Sequence, residues 1–96
     1  MKAYLVLDFS VQDFDGFRRY IENVPAYIEK HGGKYIVRGA VPQPIEGNWS
    51  PERMVIIEFP TRQNAEQFLG DAEFQELAKI RHKTTISKLV LVDGAE

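Results

Sequence analysis

One cation stands where a helical pattern calls for carbon. Phe74, Leu77, Ala78 and Arg81 recur at spacings of three and four, and at ~100° per residue they share one helical face. A guanidinium on an apolar stripe needs an answer, because an unpaired buried charge is expensive. An internal acid would make a structural pair, and a side chain at the helix end could snorkel outward. A bound carboxylate or enolate would instead be gripped bidentately by the planar fork.

A second group lies on the earlier helical stretch, where Tyr20, Tyr27 and His31 form a stripe beside the apolar face. A phenol and an imidazole at a pocket edge can orient a polar ligand or move a proton. Amphipathic rim residues would look the same, and a His at a helix end is also explained by the dipole. Trp49, the single tryptophan, sits in a Pro-rich loop. It would cover a pocket as a lid or anchor a dimer, since Trp is enriched at interface hot spots. Arg81, Tyr20 and His31 are the candidate catalytic residues. Tyr27, Arg38 and Trp49 are the candidate ligand-binding ones.

Other chemistries lack support. There is no Cys, which excludes disulfides, thiolate metal sites and thiol catalysis. The two His residues, His31 and His82, fit no HxH or HExxH spacing, so no metal is expected. Ser10, Ser50 and Ser87 lack a nucleophile elbow. No Gly-x-Gly-x-x-Gly or P-loop points to a nucleotide, and no cofactor is expected. Lys plus Arg number 12 against 14 Asp plus Glu, for a net charge of -2. The footprint of a nucleic-acid binder is missing. The one basic cluster, Lys79 to Lys88, sits largely at an expected helix C-terminus, where cations complement the dipole. The apolar run before Asp8 is five residues, short of the ~7–15 of a signal peptide and of the ~20 of a membrane span. A soluble cytoplasmic protein is expected.

The elements that position these residues follow from periodicity. Ala3 to Phe9 reads as a strand and Asp13 to His31 as an amphipathic helix on Phe14, Phe17, Ile21, Val24 and Ile28. Pro25 is expected to kink or split that helix, and Gly32-Gly33 to end it. Lys34 to Ala40 and Arg53 to Phe59 read as strands around a loop, Val41 to Glu52, that holds three prolines. Thr61 is a plausible N-cap. Gly70-Asp71 interrupts the second helical region, Asp71 can cap a second segment running to about His82, and Ile86 to Val92 is the last strand. The order β-α-β-β-α-β over residues 1–96 predicts one ferredoxin-like α+β domain, a four-stranded antiparallel sheet with its helices on one face.

Alternation gives that sheet two unlike faces. Leu5, Leu7, Phe9, Tyr35, Val37, Val55, Ile57, Phe59, Leu89 and Leu91 would meet the helices. Val6, Ile36, Met54, Ile56, Val90 and Val92 would lie on the other face, too apolar to be left in water. A second copy's sheet is the simplest cover, giving a symmetric homodimer. Asp8, Arg38, Glu58 and Lys88 place one charge per strand on that outer face. With the first and third strands as parallel neighbours, Asp8 and Glu58 would lie near the same sheet end. They would act there as an acid–base pair or as a rim ion-pair network.

Gly32-Gly33, Val37-Arg38-Gly39, the run Glu46 to Arg53, Ile57-Glu58-Phe59-Pro60 and the closing Leu89 to Val92 together resemble the domain-of-unknown-function family numbered thirteen-thirty. The resemblance covers nearly the whole chain. It implies a dimeric α+β barrel, in which ferredoxin-like protomers pair sheet to sheet. Relatives in that superfamily include cofactor-free monooxygenases, haem-degrading enzymes and lactone isomerases, while the family itself has no settled activity. Ala40 stands where a second Gly often follows Arg-Gly, and Phe74 where a Tyr is common, so a mechanism needing that phenol has no support here. The resulting expectation is a small enzyme acting on a compact organic acid, enol or phenol, with a non-catalytic dimer that binds a small anionic ligand as the alternative.

Overall fold

The computed structural model describes residues 1–95. It contains β1 (Ala3–Val11), α1 (Phe14–Lys30), β2 (Lys34–Ala40), β3 (Arg53–Phe59), α2 (Arg62–Leu69), α3 (Ala72–Thr84) and β4 (Thr85–Asp93). The strands form one antiparallel sheet in the order β2-β3-β1-β4. All three helices pack on one face, so this is a ferredoxin-like α+β fold. No helix among the described residues is long and apolar enough to cross a membrane.

In β1, Ala3, Leu5, Leu7 and Phe9 are buried while their neighbours alternate toward the open face. Asp13 caps α1 by accepting from the Gly16 N–H at 3.1 Å. The helix then runs without interruption through Pro25 to Lys30, although proline supplies no N–H to the preceding turn. Its buried line is Phe17, Tyr20, Val24 and Ile28. The apolar stripe is therefore rotated toward Tyr20, and Phe14, at 60% exposure, and Ile21 flank it. Beyond the helix, Gly32 has φ +80°, and the Gly33 N–H donates to the Ile28 carbonyl at 2.9 Å. Thr61 caps α2, and Asp71 caps α3 by accepting from the Glu73 and Phe74 N–H groups. Thr85 follows α3 directly, and its hydroxyl donates to the Arg81 carbonyl at 2.6 Å.

Two features of the sheet differ from the sequence reading. First, β1 and β3 are antiparallel. The crossover through α1 makes β2 run the same way as β1, and the β2–β3 hairpin then reverses β3. Asp8 lies opposite Met54 and Lys88, whereas Glu58 lies opposite Tyr4 and Lys34. The two carboxylates are at opposite ends of the sheet and form no acid–base pair. Second, β2 carries register shifts between Tyr35 and Val37 and between Arg38 and Ala40. Each extra residue reverses the alternation. Val37 therefore pairs with Ile56 on the open face, and Arg38 pairs with Val55 on the helix face. Both are the reverse of strict alternation from Tyr35.

The face away from the helices is apolar and open. Ile36, Val90 and Val92 are exposed there, with Val6, Met54 and Ile56 half-buried.

Gly33 is required by space. A Cβ there would come within 2.7 Å of the Phe59 ring and 2.9 Å of Ile28 Cγ2, both in the core. Gly33→Ala should cost about 1–3 kcal/mol, as overpacking does. Chemical denaturation measures it, and an unchanged midpoint would show that the core yields.

Candidate functional site

Helices α1 and α3 pack antiparallel and are tied at both ends. At one end the Thr84 carbonyl accepts from the Gln12 and Asp13 N–H groups at 2.8 and 3.2 Å. At the other, the Asp71 carboxylate accepts from His31 Nε2 at 2.8 Å and from Lys30 Nζ at 2.9 Å. These partners, His31 first, hold Asp71 well below the usual carboxylate range. Between the ties the antiparallel register sets Tyr20 against Arg81.

Arg81 is 6% exposed. Its Nη1 donates to the Tyr20 hydroxyl oxygen at 3.3 Å, and its Nη2 donates to His82 Nε2 at 3.2 Å. The second bond requires the His82 proton on Nδ1. Its Nε has no partner at all. No carboxylate stands within ion-pair distance of Arg81 among the described residues. None of the described residues supplies the internal acid of a structural ion pair. Burial pushes the Tyr20 phenol up, and the Arg81 charge offsets part of the rise. Tyr20 is thus a neutral phenol at neutral pH. It accepts from Arg81 and keeps its own O–H to donate.

Arg81 and Tyr20 border a cavity of about 270 Å³ between the helices and the sheet. Leu5, Leu7 and Val55 line it from the sheet, and Phe17, Val24 and Ile28 from α1. Exposed Phe14, Ile21 and Leu89 surround its opening, together with Arg38 and Arg53. The lining contains no Asp, Glu or His. A small apolar cavity with a few fixed polar groups is the form of a ligand site, and here every charge on its wall is positive.

The sequence candidates divide between three places. Arg81, Tyr20 and Arg38 line this cavity. Arg38 reaches it because of the β2 register shift, and its guanidinium lies 4.5 Å above the Tyr35 ring. His31 is at the far end of the helix pair, bound to Asp71 and not to the cavity. Tyr27 faces a shallow surface between α1 and α3, beside Arg19, Glu73 and Ile80. Trp49 donates from Nε1 to Asp8 Oδ2 at 2.9 Å, on the open face of the sheet. It is 58% exposed and does not cover the cavity. Tyr35 and Arg53 also line the cavity and were not among the candidates. Their parity with Val55 and Ile57 on the helix-facing side was the available signal.

Fold and cavity define a class: a ferredoxin-like protomer whose cavity lies between the helices and the sheet. Structures of this shape include a protein of unknown function from Rhodopseudomonas palustris, at 15% identity, TM-score 0.78 and coverage of 99% of this chain and 83% of that one. SnoaB, a cofactor-independent oxygenase from Streptomyces nogalater, matches at 16% identity and TM-score 0.70, with coverage of 99% and 94%. A dimeric protein of unknown function and ferredoxin-like fold from Bacteroides fragilis matches at 15% identity and TM-score 0.57, with coverage of 97% and 96%. At these identities the likeness is one of fold. No curated protein matches the chain. Residues 2–95 match the family model described as Domain of unknown function (DUF1330), and the chain belongs to that family.

The tie at Asp71 makes a prediction about acid stability. A carboxylate depressed in the folded state stabilises the fold above its unfolded value, ~3.9, and that stabilisation is lost as pH falls toward the folded value. Asp71→Asn keeps a capping side chain but removes the charge. Its melting temperature should fall below that of the wild type at pH 6, and the gap should shrink as pH drops below about 4. A gap that is constant from pH 6 to pH 2.5 would show that the charge contributes nothing.

Proposed function

We propose that the cavity binds a compact organic anion, a carboxylate, enolate or phenolate, with its charge on Arg81 and its body on the apolar wall. The observation that carries this reading is the buried Arg81 guanidinium with a free Nε and no carboxylate partner. A buried cation of this kind is costly in an empty protein, and a ligand oxyanion would satisfy it. Tyr20, already oriented by Arg81, would add an O–H donor to the same oxygen.

Such a site stabilises the deprotonated form of an enol or phenol by fixed charge in a dry pocket. An enolate or phenolate so held is the species that reacts with dioxygen in a cofactor-independent oxygenation, or that takes a proton at another carbon in an isomerisation. The likeness to SnoaB supports the first of these. The lack of Asp, Glu and His on the cavity wall favours a second reading, in which the ligand arrives ionised and is bound without turnover. Incubation in air separates the two: a consumed ligand supports the enzyme, and one recovered intact while raising the melting temperature supports the binding protein.

Arg81→Leu tests the shared claim. With no acid left stranded, the swap should keep or raise stability, by up to ~1–4 kcal/mol. Stabilisation by small aromatic and aliphatic carboxylates should vanish in the variant. A sharply lowered melting temperature, with carboxylates inert toward the wild type, would reject the site.

The open sheet face supports a homodimer built sheet to sheet, with Trp49 and Asp8 beside the contact. Contiguous exposed apolar surface of this kind marks an interface, and the Bacteroides fragilis neighbour is dimeric. Light scattering should give about twice the 11.0 kDa chain mass. Ile56→Asp should give monomer or insoluble protein. A wild-type mass near 11.0 kDa at micromolar concentration would overturn the dimer.

A further inference from the structure

The cavity opening holds a charge arrangement that a single anion on Arg81 leaves unanswered. Arg38 and Arg53 both line it. They belong to adjacent strands, with Arg38 opposite Val55 and Arg53 two residues earlier on the same face. Arg53 Nη1 donates to the carbonyl of Gly39, the residue after Arg38, at 3.3 Å. Neither guanidinium has a carboxylate within ion-pair distance among the described residues. The two like charges are diagonal neighbours on one face, and among the described residues only the neutral Gly39 carbonyl and the Tyr35 ring answer them.

The backbone makes this pair on purpose. Without the register shift after Tyr35, Arg38 would point to the open face, where Asp8 and Glu58 also lie. The bulge turns it into the cavity instead, and bulges recur beside binding sites because they re-aim side chains. Gly39 has φ +79°, a conformation glycine adopts freely, and a Cβ there would meet nothing within 4 Å. The strand edge beside Arg38 is open. Tyr35 then supports the Arg38 guanidinium from below at 4.5 Å.

We infer that the ligand is an aromatic acid with two acidic groups, one on Arg81 and Tyr20 inside and the other on Arg38 and Arg53 at the opening. This rests on the proposed anion site and names the class of molecule it takes. The two cationic positions belong to different layers, Arg81 to α3 and the pair to the sheet, with apolar cavity between them. A flat body suits that space, because Phe9, Phe17, Phe68 and Phe74 are on its wall. The volume of about 270 Å³ lies just under the range of ligand pockets, roughly 300–1,000 Å³, so the body is one or two rings.

Calorimetry at low ionic strength tests the inference with phthalate, isophthalate, terephthalate and naphthalene-2,6-dicarboxylate, each against its monoacid, benzoate or 2-naphthoate. At least one diacid should bind about tenfold more tightly than its monoacid, the scale of a charge-assisted contact. Arg38→Gln with Arg53→Gln should weaken the diacid far more than the monoacid and so remove that advantage, while the monoacid binding that remains on Arg81 shows that the variant is folded. Added salt should weaken the diacid more than the monoacid. The inference is overturned if no diacid exceeds its monoacid, or if the advantage survives the double substitution. In those cases, monoacid binding lost in Arg81→Leu leaves the anion site standing. If neither monoacids nor diacids bind the wild type, the anion site fails and the inference with it.

Discussion

The pairing of α1 with α3 is the constraint from which the rest of the site follows. Asp71 does two things with one carboxylate. It caps α3 through the Glu73 and Phe74 N–H groups, and it anchors the end of α1 through His31 and Lys30. At the opposite end Thr84 anchors the start of α1 through its carbonyl. With both ends fixed, the helices can meet in only one register, and that register puts the Tyr20 hydroxyl at Arg81. Gly16 belongs to the same constraint, because a Cβ there would come within 2.9 Å of Thr84 Cγ2. Bulk at that crossing would push apart the two helices that hold the buried guanidinium.

The sheet contributes through an irregularity. Strands β1, β3 and β4 alternate regularly against one another, and their inner residues floor the cavity. Strand β2 lies at the sheet edge and has only β3 as a neighbour. An edge strand can bulge without disturbing a second partner, which is where bulges concentrate. This freedom turns Val37 outward, adding to the apolar open face, and Arg38 inward, adding to the cavity's positive wall. One extra residue thus changes both surfaces of the sheet.

How much of this was legible in the sequence depends on the kind of signal. The element order, the N-caps Thr61 and Asp71, and the helix end at Gly32-Gly33 are local chemistry, and the structure has them all. Arg81 was legible because a charge on an apolar stripe breaks a pattern. That it lacks an acid was not, since its surroundings come from distant segments. The position of Arg38 was lost to the bulge, because Ile36 has nothing in its type to mark it as the extra residue. The direction of β1 against β3 follows from topology, and a parallel assignment put Asp8 and Glu58 together when the antiparallel register sets them toward opposite ends of β3. Helical period placed Tyr20, Tyr27 and His31 on one stripe, but a 17-residue helix has ends. Tyr20 meets the cavity, and His31 meets Asp71 at the other end.

The charge inventory of the two faces of the sheet sharpens the functional argument. On the open face the two carboxylates of the sheet have cations at hand. Glu58 is within reach of Lys2, Lys34 and the Tyr4 hydroxyl, and Asp8 lies opposite Lys88 and accepts from Trp49. On the helix face the cavity holds three arginines and no acid. Two neutral acceptors, the Tyr20 oxygen and the His82 ring, are all that Arg81 is given. They suffice to orient a guanidinium and are too weak to neutralise it. A protein that balances its charges on one face had ready means to balance them on the other. A single Asp or Glu in place of an apolar residue on the cavity wall would have done so, by making a buried pair. Leaving the positive charge uncompensated costs stability in a domain of this size. What the arrangement leaves is a buried guanidinium held in a fixed orientation at an apolar wall, the electrostatic preorganisation that the proposed anion binding requires.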